Sequence, residues 1–461
     1  MADDEKARLY KRLTTTWNEF EVLARLRHNG FWPAGVGIPQ DPPKELKERA
    51  TLTKELASLR ASQLAVKDPE KALSEERTRR FKASLERRKA ARARRLADEK
   101  TRRERWLKAR KDSVVNLGEG VSAGLQDVSC DKAQLQARGL PVLGDAVALA
   151  GALGVKLSVL RWLTFHRRGA TLVHYHRYAI PKKTGGQRAI SAPRRKLAGC
   201  QCWVLTQVLE KLHAEPPAHG FVRHRSVVTN ATPHVGRRVV VNLDLRDFFP
   251  SVTFRRVKGL FRKVGYGEQV ATVLALLCTE PPRVPVTFDD KRFYVALGQR
   301  VLPQGASTSP AITNALCRRL DRRLQGLARR HGFTYTRYAD DLTFSGDEPP
   351  RVGRLLKSVK AVVVDEGFQV HPTKTRVMRS TRRQEVTGVV VNHRVGVPRD
   401  ELRALRATLH NCARHGLQSQ NREHHADFAA HLRGKVSWVC MVDPARGPAL
   451  RAALERALAS P

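Results

Sequence analysis

One short stretch decides the fold of this chain: residues 333–346 have the sequence FTYTRYADDLTFSG. Aromatic residues and threonines interleave on both sides of two adjacent aspartates, Asp340 and Asp341. Such residues favour strands, so the pattern predicts two short strands joined by a turn at the two carboxylates. An acidic turn in water would explain the pair, and so would a site that holds divalent metal ions.

A second acidic position lies upstream. The mostly apolar run 239–243 predicts a buried strand that delivers Asp244 at its end. Because a carboxylate buried without a partner costs several kcal/mol, Asp244 should face solvent, a cation or a metal. Three carboxylates from two strand elements suit two Mg²⁺ ions about 3.5–4 Å apart, one activating a hydroxyl and one holding a leaving pyrophosphate.

Further short blocks surround these acids. In residues 302–310, Gly305 permits a close approach of two backbones, and Ser309-Pro310 suits a helix start. The order of the blocks, over residues from about 145 to 440, resembles that of reverse transcriptases. The matching blocks are Ile180-Pro181-Lys182-Lys183, Gly185-Gly186-Gln187-Arg188, Ala192-Pro193, the Asp244 block, Pro303-Gln304-Gly305, the Asp340-Asp341 block and Pro372-Thr373-Lys374-Thr375.

Two shorter motifs narrow the resemblance. Asn230-Ala231-Thr232-Pro233-His234 and Val386-Thr387-Gly388 are similar to two elements of retron reverse transcriptases. Taken singly, the first is equally a turn capped by Asn230, and the second a strand that ends at a glycine bend. The retron resemblance implies a bacterial enzyme that copies part of its own structured noncoding RNA into multicopy single-stranded DNA. It also implies priming from the 2′-OH of an RNA guanosine, and a role in phage defence.

The resemblance also implies a role for each matching residue. Asp244, Asp340 and Asp341 would hold two Mg²⁺ ions, with the Leu245 carbonyl as an additional ligand. Lys374 would be a general acid for the pyrophosphate, or else the partner in a salt bridge at a strand start. The residues expected around the incoming dNTP are Lys182, Lys183 and Arg188 at the triphosphate, Phe249 as the steric gate against a 2′-OH, and Gln304 and Gly305 near the templating pair. The residues expected to contact the cognate RNA are Asn230, His234, Val386, Thr387 and Gly388.

The distribution of charge and the positions of Gly and Pro predict how the chain is divided. The resemblance implies an α/β (α+β) right-hand polymerase with fingers, palm and thumb, whose antiparallel palm sheet is backed by helices. We expect a basic helical N-terminal extension at 1–112, a linker at 113–141, fingers and the start of the palm at 142–243, the palm at 244–391 and a helical thumb at 392–461. The basic run 44–111 is either a solvated helix or a helix that binds RNA or DNA.

The composition agrees with a nucleic-acid partner. The chain has 85 Lys and Arg against 44 Asp and Glu, a formal net charge of +41 and a pI of about 10.9. A surface this basic favours polyanions, and its binding should depend strongly on salt. Seven cysteines in a large chain argue against a disulfide framework and for a reducing cytoplasm. No apolar run indicates a signal peptide or a membrane span.

Two other classes of function remain open. The protein could be mainly a nucleoprotein scaffold that holds its RNA and DNA and restrains a toxic effector protein. Within the enzyme class, it could be a group II intron or a diversity-generating reverse transcriptase. Because no Cys- or His-rich endonuclease segment follows the expected thumb, the sequence disfavours the intron interpretation.

Overall fold

The computed structural model describes residues 19–37, 42–65, 68–181 and 185–459. The chain divides into two compact units, Met1–Arg103 and Glu104–Pro461. Lys182 and Lys183 fall outside the described residues, so their expected phosphate contacts lie beyond what the structure describes.

The described part of the N-terminal unit is helical. It contains α1 (Glu19–His28), α2 (Pro43–Ala65) and α3 (Pro69–Asp112), and α3 continues past the end of the unit. Proline suits the first position of α2 and α3, since the N–H that it lacks would have no partner in a first helical turn. Most side chains of α3 are exposed, and surface ion pairs such as Arg80–Glu76 and Lys89–Glu86 join neighbouring turns.

The segment 113–141, expected to be a linker, instead packs into the core of the second unit. Leu117, Leu125 and Leu135 are buried in the main hydrophobic cluster, and α4 (Lys132–Ala137) begins at Asp131, whose side chain accepts a hydrogen bond from Gln134 N. Gly118 permits a close approach to another segment, because a Cβ there would lie 2.1 Å from the His166 carbonyl oxygen.

A fully buried helix lies at the centre of the second unit. In α10 (Glu268–Cys278), every residue from Gln269 to Cys278 is buried, because the helix is apolar on all faces. Gln269 is satisfied within the core by bonds to Ala146 N and to the Leu125 carbonyl. The other helices before the C-terminal region are α5 (Ala146–Ala152), α6 (Leu157–Thr164), α7 (Arg195–Gln207), α8 (Val227–Ala231), α9 (Phe254–Lys263), α11 (Thr308–Leu316), α12 (Arg318–His331) and α13 (Val352–Asp365).

A four-stranded antiparallel sheet carries the acidic residues. Its order is β7-β8-β4-β9, and its strands are β4 (Val239–Asp244), β7 (Phe333–Tyr338), β8 (Asp341–Gly346) and β9 (Arg376–Arg379). The predicted hairpin at 333–346 is therefore present, with its turn at Ala339 and Asp340. The predicted strand that ends at Asp244 is central, because β8 pairs with it on one side and β9 on the other.

Smaller sheets and a helical region complete the unit. A hairpin of β2 (Tyr175–Pro181) and β3 (Gln187–Pro193) follows α6, and β1 (Gly169–Ala170), β6 (Lys291–Ala296) and β5 (Arg283–Phe288) form a three-stranded sheet. After the hairpin of β10 (Glu385–Val386) and β11 (Val389–Val390), the chain is helical. The C-terminal helices α14 (Arg399–His415), α15 (Phe428–Val442) and α16 (Gly447–Ala459) share a hydrophobic cluster of their own.

All seven cysteines are free, as the sequence predicted. In the described ranges, no single helix is both long and apolar enough to span a membrane, and the bent pair of α5 and α6 meets that test only when the two are taken together.

Candidate active site

The pairing of strands brings the three predicted carboxylates together. In the antiparallel register of β4 and β8, Asp244 lies opposite Asp341, and the Leu245 N–H donates a hydrogen bond to the Asp340 carbonyl at 3.0 Å. The turn between β7 and β8 is tight, since Ala339 adopts a φ of 56°. One register thus places the end of β4 beside the hairpin tip.

The electrostatics of this acidic cluster favour a cation. Burial, together with the charge of Asp244, raises the pKa of Asp340, and burial with the charges of Asp340 and Asp244 raises the pKa of Asp341 to about 7. Within the described part of the chain, neither Asp340 nor Asp341 has a salt-bridge partner. Divalent cations would relieve the repulsion that opposes ionisation here.

Lys374 provides the positive charge nearest to the cluster. Its Nζ lies 3.0 Å from Asp244 Oδ2, which is the salt bridge that the sequence offered as the alternative to general acid catalysis. The ammonium is about half exposed, so it is also accessible to a ligand. Arg376, which sequence reasoning did not select, adds positive potential at Asp341 from the start of β9.

The donor set fits a divalent ion by its chemistry. Three carboxylates are the hard oxygen ligands that Mg²⁺ and similar ions prefer, and the Leu245 carbonyl accepts no hydrogen bond among the described residues. Searched over those same residues, no three His, Cys, Asp or Glu side chains already converge as a finished metal site. The Lys374 ammonium donates a hydrogen bond to Asp244 Oδ2, so one oxygen of that carboxylate is already paired.

A buried ion pair supports the turn that carries Asp340 and Asp341, and it was not predicted from the sequence. The Arg337 guanidinium and the Asp321 carboxylate have no exposed side-chain surface and form two bonds, Nε–Oδ1 at 2.8 Å and Nη2–Oδ2 at 2.7 Å. The Nη1 group of Arg337 also donates to the Ala339 carbonyl at 3.1 Å. Although burial disfavours the charged guanidinium, the Asp321 carboxylate outweighs it and the pKa of Arg337 is raised. Arg337 therefore ties helix α12 directly to the turn.

Two further residues fix the backbone of the turn. Asn314 accepts a hydrogen bond from Arg337 Nη1 at 3.0 Å and donates one to the Gly220 carbonyl at 2.9 Å. Gly220 itself lies so close to the turn that an added Cβ would be 2.4 Å from Ala339 N. The turn is consequently held on both sides, and its two aspartates project from a rigid support.

Two of the residues expected at the nucleotide, Gln304 and Gly305, lie against strand β3. The Gln304 carbonyl accepts a hydrogen bond from Ser191 N at 2.7 Å, and Gly305, with a φ of 109°, has no room for a Cβ because Ile190 Cγ2 would lie 2.8 Å away. Arg188, on the same strand as Ser191, is exposed and adds positive potential at Asp340. The hairpin of β2 and β3 is thereby joined to the loop before α11, and the charge of its Arg188 acts on Asp340.

Phe249 lies five residues after Asp244 and is partly buried. Its ring centroid is 5.4 Å from that of Phe248, which is buried and packs against Phe368. Phe249 is half-buried, whereas its neighbour Phe248 anchors the segment in the core. The role of Phe249 as a steric gate stays a prediction.

Comparisons with known proteins agree with this geometry. The family model described as "Reverse transcriptase (RNA-dependent DNA polymerase)" matches residues 180–391. The retron Mx162 reverse transcriptase of Myxococcus xanthus is 46% identical over 422 residues, which cover 86% of this chain and 84% of that protein. This chain belongs to the retron reverse transcriptases.

Other retron reverse transcriptases are similar as well. The retron Mx65 enzyme of Myxococcus xanthus is 50% identical and covers 69% of this chain and 73% of that protein. The retron Ec86 enzyme of Escherichia coli is 33% identical and covers 67% and 88%. The present retron reverse transcriptase is therefore an RNA-directed DNA polymerase, and enzymes of this kind use divalent metal ions.

The two retron motifs meet next to the four-stranded sheet. His234 is fully buried, with Nδ1 2.7 Å from Ser345 Oγ on β8 and Nε2 2.7 Å from Thr336 Oγ1 on β7. Burial lowers the pKa of His234 to about 3, so the ring is neutral near pH 7. Asn230 is also fully buried, and its Nδ2 donates to Thr387 Oγ1 at 3.4 Å.

The second motif forms a two-residue hairpin turn. Thr387 and Gly388 have φ values of 48° and 81°, and they connect β10 to β11. Positive φ at both central residues is typical of the turn that matches the twist of a hairpin. Val386 is buried, whereas Thr387 and Gly388 are half-buried. This burial favours a supporting role for Asn230, His234 and Val386 over the direct RNA contact that the sequence suggested.

Proposed function

We propose that this polymerase copies part of its own structured noncoding RNA into multicopy single-stranded DNA, primed from a 2′-OH of that RNA. Membership of the retron family supports the proposal. The observation that carries the chemistry is the register that puts Asp244 beside the Asp340–Asp341 turn. Phage defence and an associated effector protein belong to the same proposal, as does a reducing cytoplasm, which the seven free cysteines support.

Asp244, Asp340 and Asp341 would hold two Mg²⁺ ions, with the Leu245 carbonyl as a further ligand. When bound, such ions activate the attacking hydroxyl and neutralise the leaving pyrophosphate. The rigid support from Arg337 and Gly220 keeps the carboxylates in place, so little reorganisation is needed during the reaction.

The remaining residues would position the substrates. Arg188 would bind phosphate oxygens with its planar guanidinium, and Lys182 and Lys183 would add point charges to the same triphosphate. Phe249 would exclude a ribose 2′-OH, and Gln304 with Gly305 would define the floor under the templating pair. Lys374 would leave Asp244 to donate a proton to the departing pyrophosphate, since its half-exposed side chain is accessible to a ligand beside Asp244.

The test uses the purified full chain and the RNA transcribed from the region next to its gene. We expect a DNA product joined to RNA through a 2′-linkage, which a debranching enzyme releases. Asp340→Asn should reduce synthesis more than about a hundredfold, because losing residues that only orient metal ligands already costs 10–100-fold. Asp347→Asn is the matched control: that exposed carboxylate, just after the other end of β8, pairs with Arg237.

The experiment distinguishes a failure of the self-priming proposal from a failure of the metal assignment. Extension of an annealed primer without any branched product would reject self-priming while leaving the polymerase intact. Substantial extension by Asp340→Asn would reject the metal assignment itself.

A further inference from the structure

The long helix α3 has two faces of different chemistry. Six of the eight arginines between residues 80 and 103, Arg80, Arg87, Arg88, Arg94, Arg95 and Arg102, fall within an arc of about 120° when successive residues are placed 100° apart, and Arg92 and Arg103 lie about 40° and 60° beyond its edge. Lys82, Lys89 and Lys100 lie on the opposite side, about 170° away. We name the first the arginine face and the second the lysine face.

The two faces also differ in their acidic neighbours. The lysine face includes Glu86, which forms a salt bridge with Lys89. On the arginine face, Asp98 is the acidic residue between 80 and 102, and from Arg87 onward none of its five arginines has a salt-bridge partner among the described residues. A helix that only needs water on all sides gains nothing from sorting arginine from lysine in this way. Arginine differs from lysine in binding phosphate with a planar fork and in being less strongly hydrated.

The arginine face has the dimensions of a duplex contact. It extends over about 33 Å from Arg80 to Arg102, close to one turn of a double helix. Between Arg80 and Arg102 the helix has a single aromatic residue, the exposed Phe81 at the N-terminal end of this range, whereas single-stranded nucleic acids are usually held by stacking successive bases on several aromatic side chains. Phosphates of a duplex need only regularly spaced cations, which this face supplies.

We propose that the arginine face of α3 is a second nucleic-acid site, which binds the backbone of a double-stranded region without reading its sequence. This goes beyond the proposed copying reaction, because it assigns a duplex grip to a helix that carries none of the metal or nucleotide residues. It rests only on the use of nucleic acid by the polymerase, and not on the identity of the RNA.

The experiment compares two triple variants of the full chain that remove the same charge. One is Arg87→Gln, Arg94→Gln and Arg102→Gln on the arginine face, and the other is Lys82→Gln, Lys89→Gln and Lys100→Gln on the lysine face. Glutamine preserves helix propensity, and circular dichroism verifies that helicity is unchanged. The probes are a 20-base-pair DNA duplex, an RNA duplex of the same sequence and a 20-nucleotide single strand, each titrated at several salt concentrations.

We expect the arginine triple to weaken binding to both duplexes at least tenfold near 150 mM salt. Its slope of log K against log salt for the DNA duplex should fall by about 2.7, as expected for three lost phosphate contacts. The lysine triple should change affinity less than threefold. A second arginine-face triple, Arg80→Gln, Arg88→Gln and Arg95→Gln, should reproduce the first.

Equal effects of the arginine and lysine triples would overturn the proposal, because they would mean a diffuse charge effect. A loss of single-strand binding as large as the loss of duplex binding would also overturn it. Extension of an annealed primer at low salt should survive in all variants, and this measurement separates a failure of the α3 site from a failure of the polymerase.

Discussion

Replacing Arg337 by methionine tests whether the buried ion pair supports catalysis as well as folding. The variant removes two bonds to Asp321, one to Asn314 and one to the Ala339 carbonyl. Because both side chains of the pair are fully buried, the Asp321 carboxylate would be left in the interior without its counter-charge. Breaking such a pair typically destabilises a protein by about 3–5 kcal/mol.

Activity should fall by more than stability alone explains. The turn would lose the donor that holds the Ala339 carbonyl, and a shift of about 1 Å in reacting groups can cost a hundredfold in rate. We therefore expect kcat for primer extension to fall about a hundredfold under conditions where the variant is still folded. Urea unfolding gives the stability, and single-turnover extension at saturating dNTP gives the rate.

The matched control is Arg319→Met on α12, the helix that carries Asp321. Arg319 is mostly exposed and pairs with Glu366 at 3.1 Å, so its loss should change stability by no more than about 1 kcal/mol. If Arg337→Met matched this control in both stability and rate, the proposed support of the turn would be refuted. A double variant, Arg337→Met with Asp321→Leu, should recover much of the stability but not the rate, since it removes the stranded charge without restoring the turn.

Three further predictions concern neighbouring residues. Phe249→Ala should incorporate ribonucleotides in an extension assay while DNA synthesis persists. The control Phe248→Ala, which empties a core position, should instead destabilise the protein by about 3–5 kcal/mol. A folded, dNTP-active Phe249→Ala variant that still rejects ribonucleotides would contradict the role of Phe249 as steric gate. The double variant Asn230→Ala, His234→Ala should impair self-primed and annealed-primer synthesis alike, because both side chains are buried. Loss of self-priming alone would instead support direct contact of these residues with the RNA. The contribution of His234 to stability should fall as pH drops below 6.5, by up to about 1.4 kcal/mol per pH unit, since the unfolded chain then binds a proton that folded His234, with its pKa lowered to about 3, does not. Because Asp341, with its pKa raised to about 7, acts in the opposite direction, the measurement is the difference in urea midpoint between the unmodified protein and His234→Gln, which should fall from pH 7.5 to pH 5.5; a difference that does not change with pH would contradict the prediction.

Local pattern predicted the acidic hairpin well. The interleaved residues around Asp340 and Asp341 required a strand on each side, and the structure has both strands, with Asp244 opposite Asp341 at the end of a neighbouring strand. Their joint role in holding metal ions stays a prediction. Glycine at 305 was correctly associated with a close backbone approach, which the structure finds at Ser191. These predictions succeed because each depends on the residues of one short segment.

The residues that support the acidic turn could not be predicted from local sequence patterns. Phe333, Tyr335 and Arg337 occupy the same face of β7, so a buried arginine could have been suspected, but its partner Asp321 lies on a helix 16 residues away. Likewise, the short motifs at Asn230 and Thr387 are 157 positions apart, and nothing local shows that they bond to each other. Long-range pairing of buried polar groups is a property of the fold and not of any single segment.

The free cysteines differ in exposure, which allows selective labelling of one thiol. Of the seven, Cys202 on α7 is exposed, Cys130 and Cys440 are partly covered, and the other four are buried. Thiol reagents attack accessible thiolates, and burial raises the pKa of the thiols of Cys200, Cys278, Cys317 and Cys412. A maleimide dye should therefore label Cys202 first without any engineered substitution.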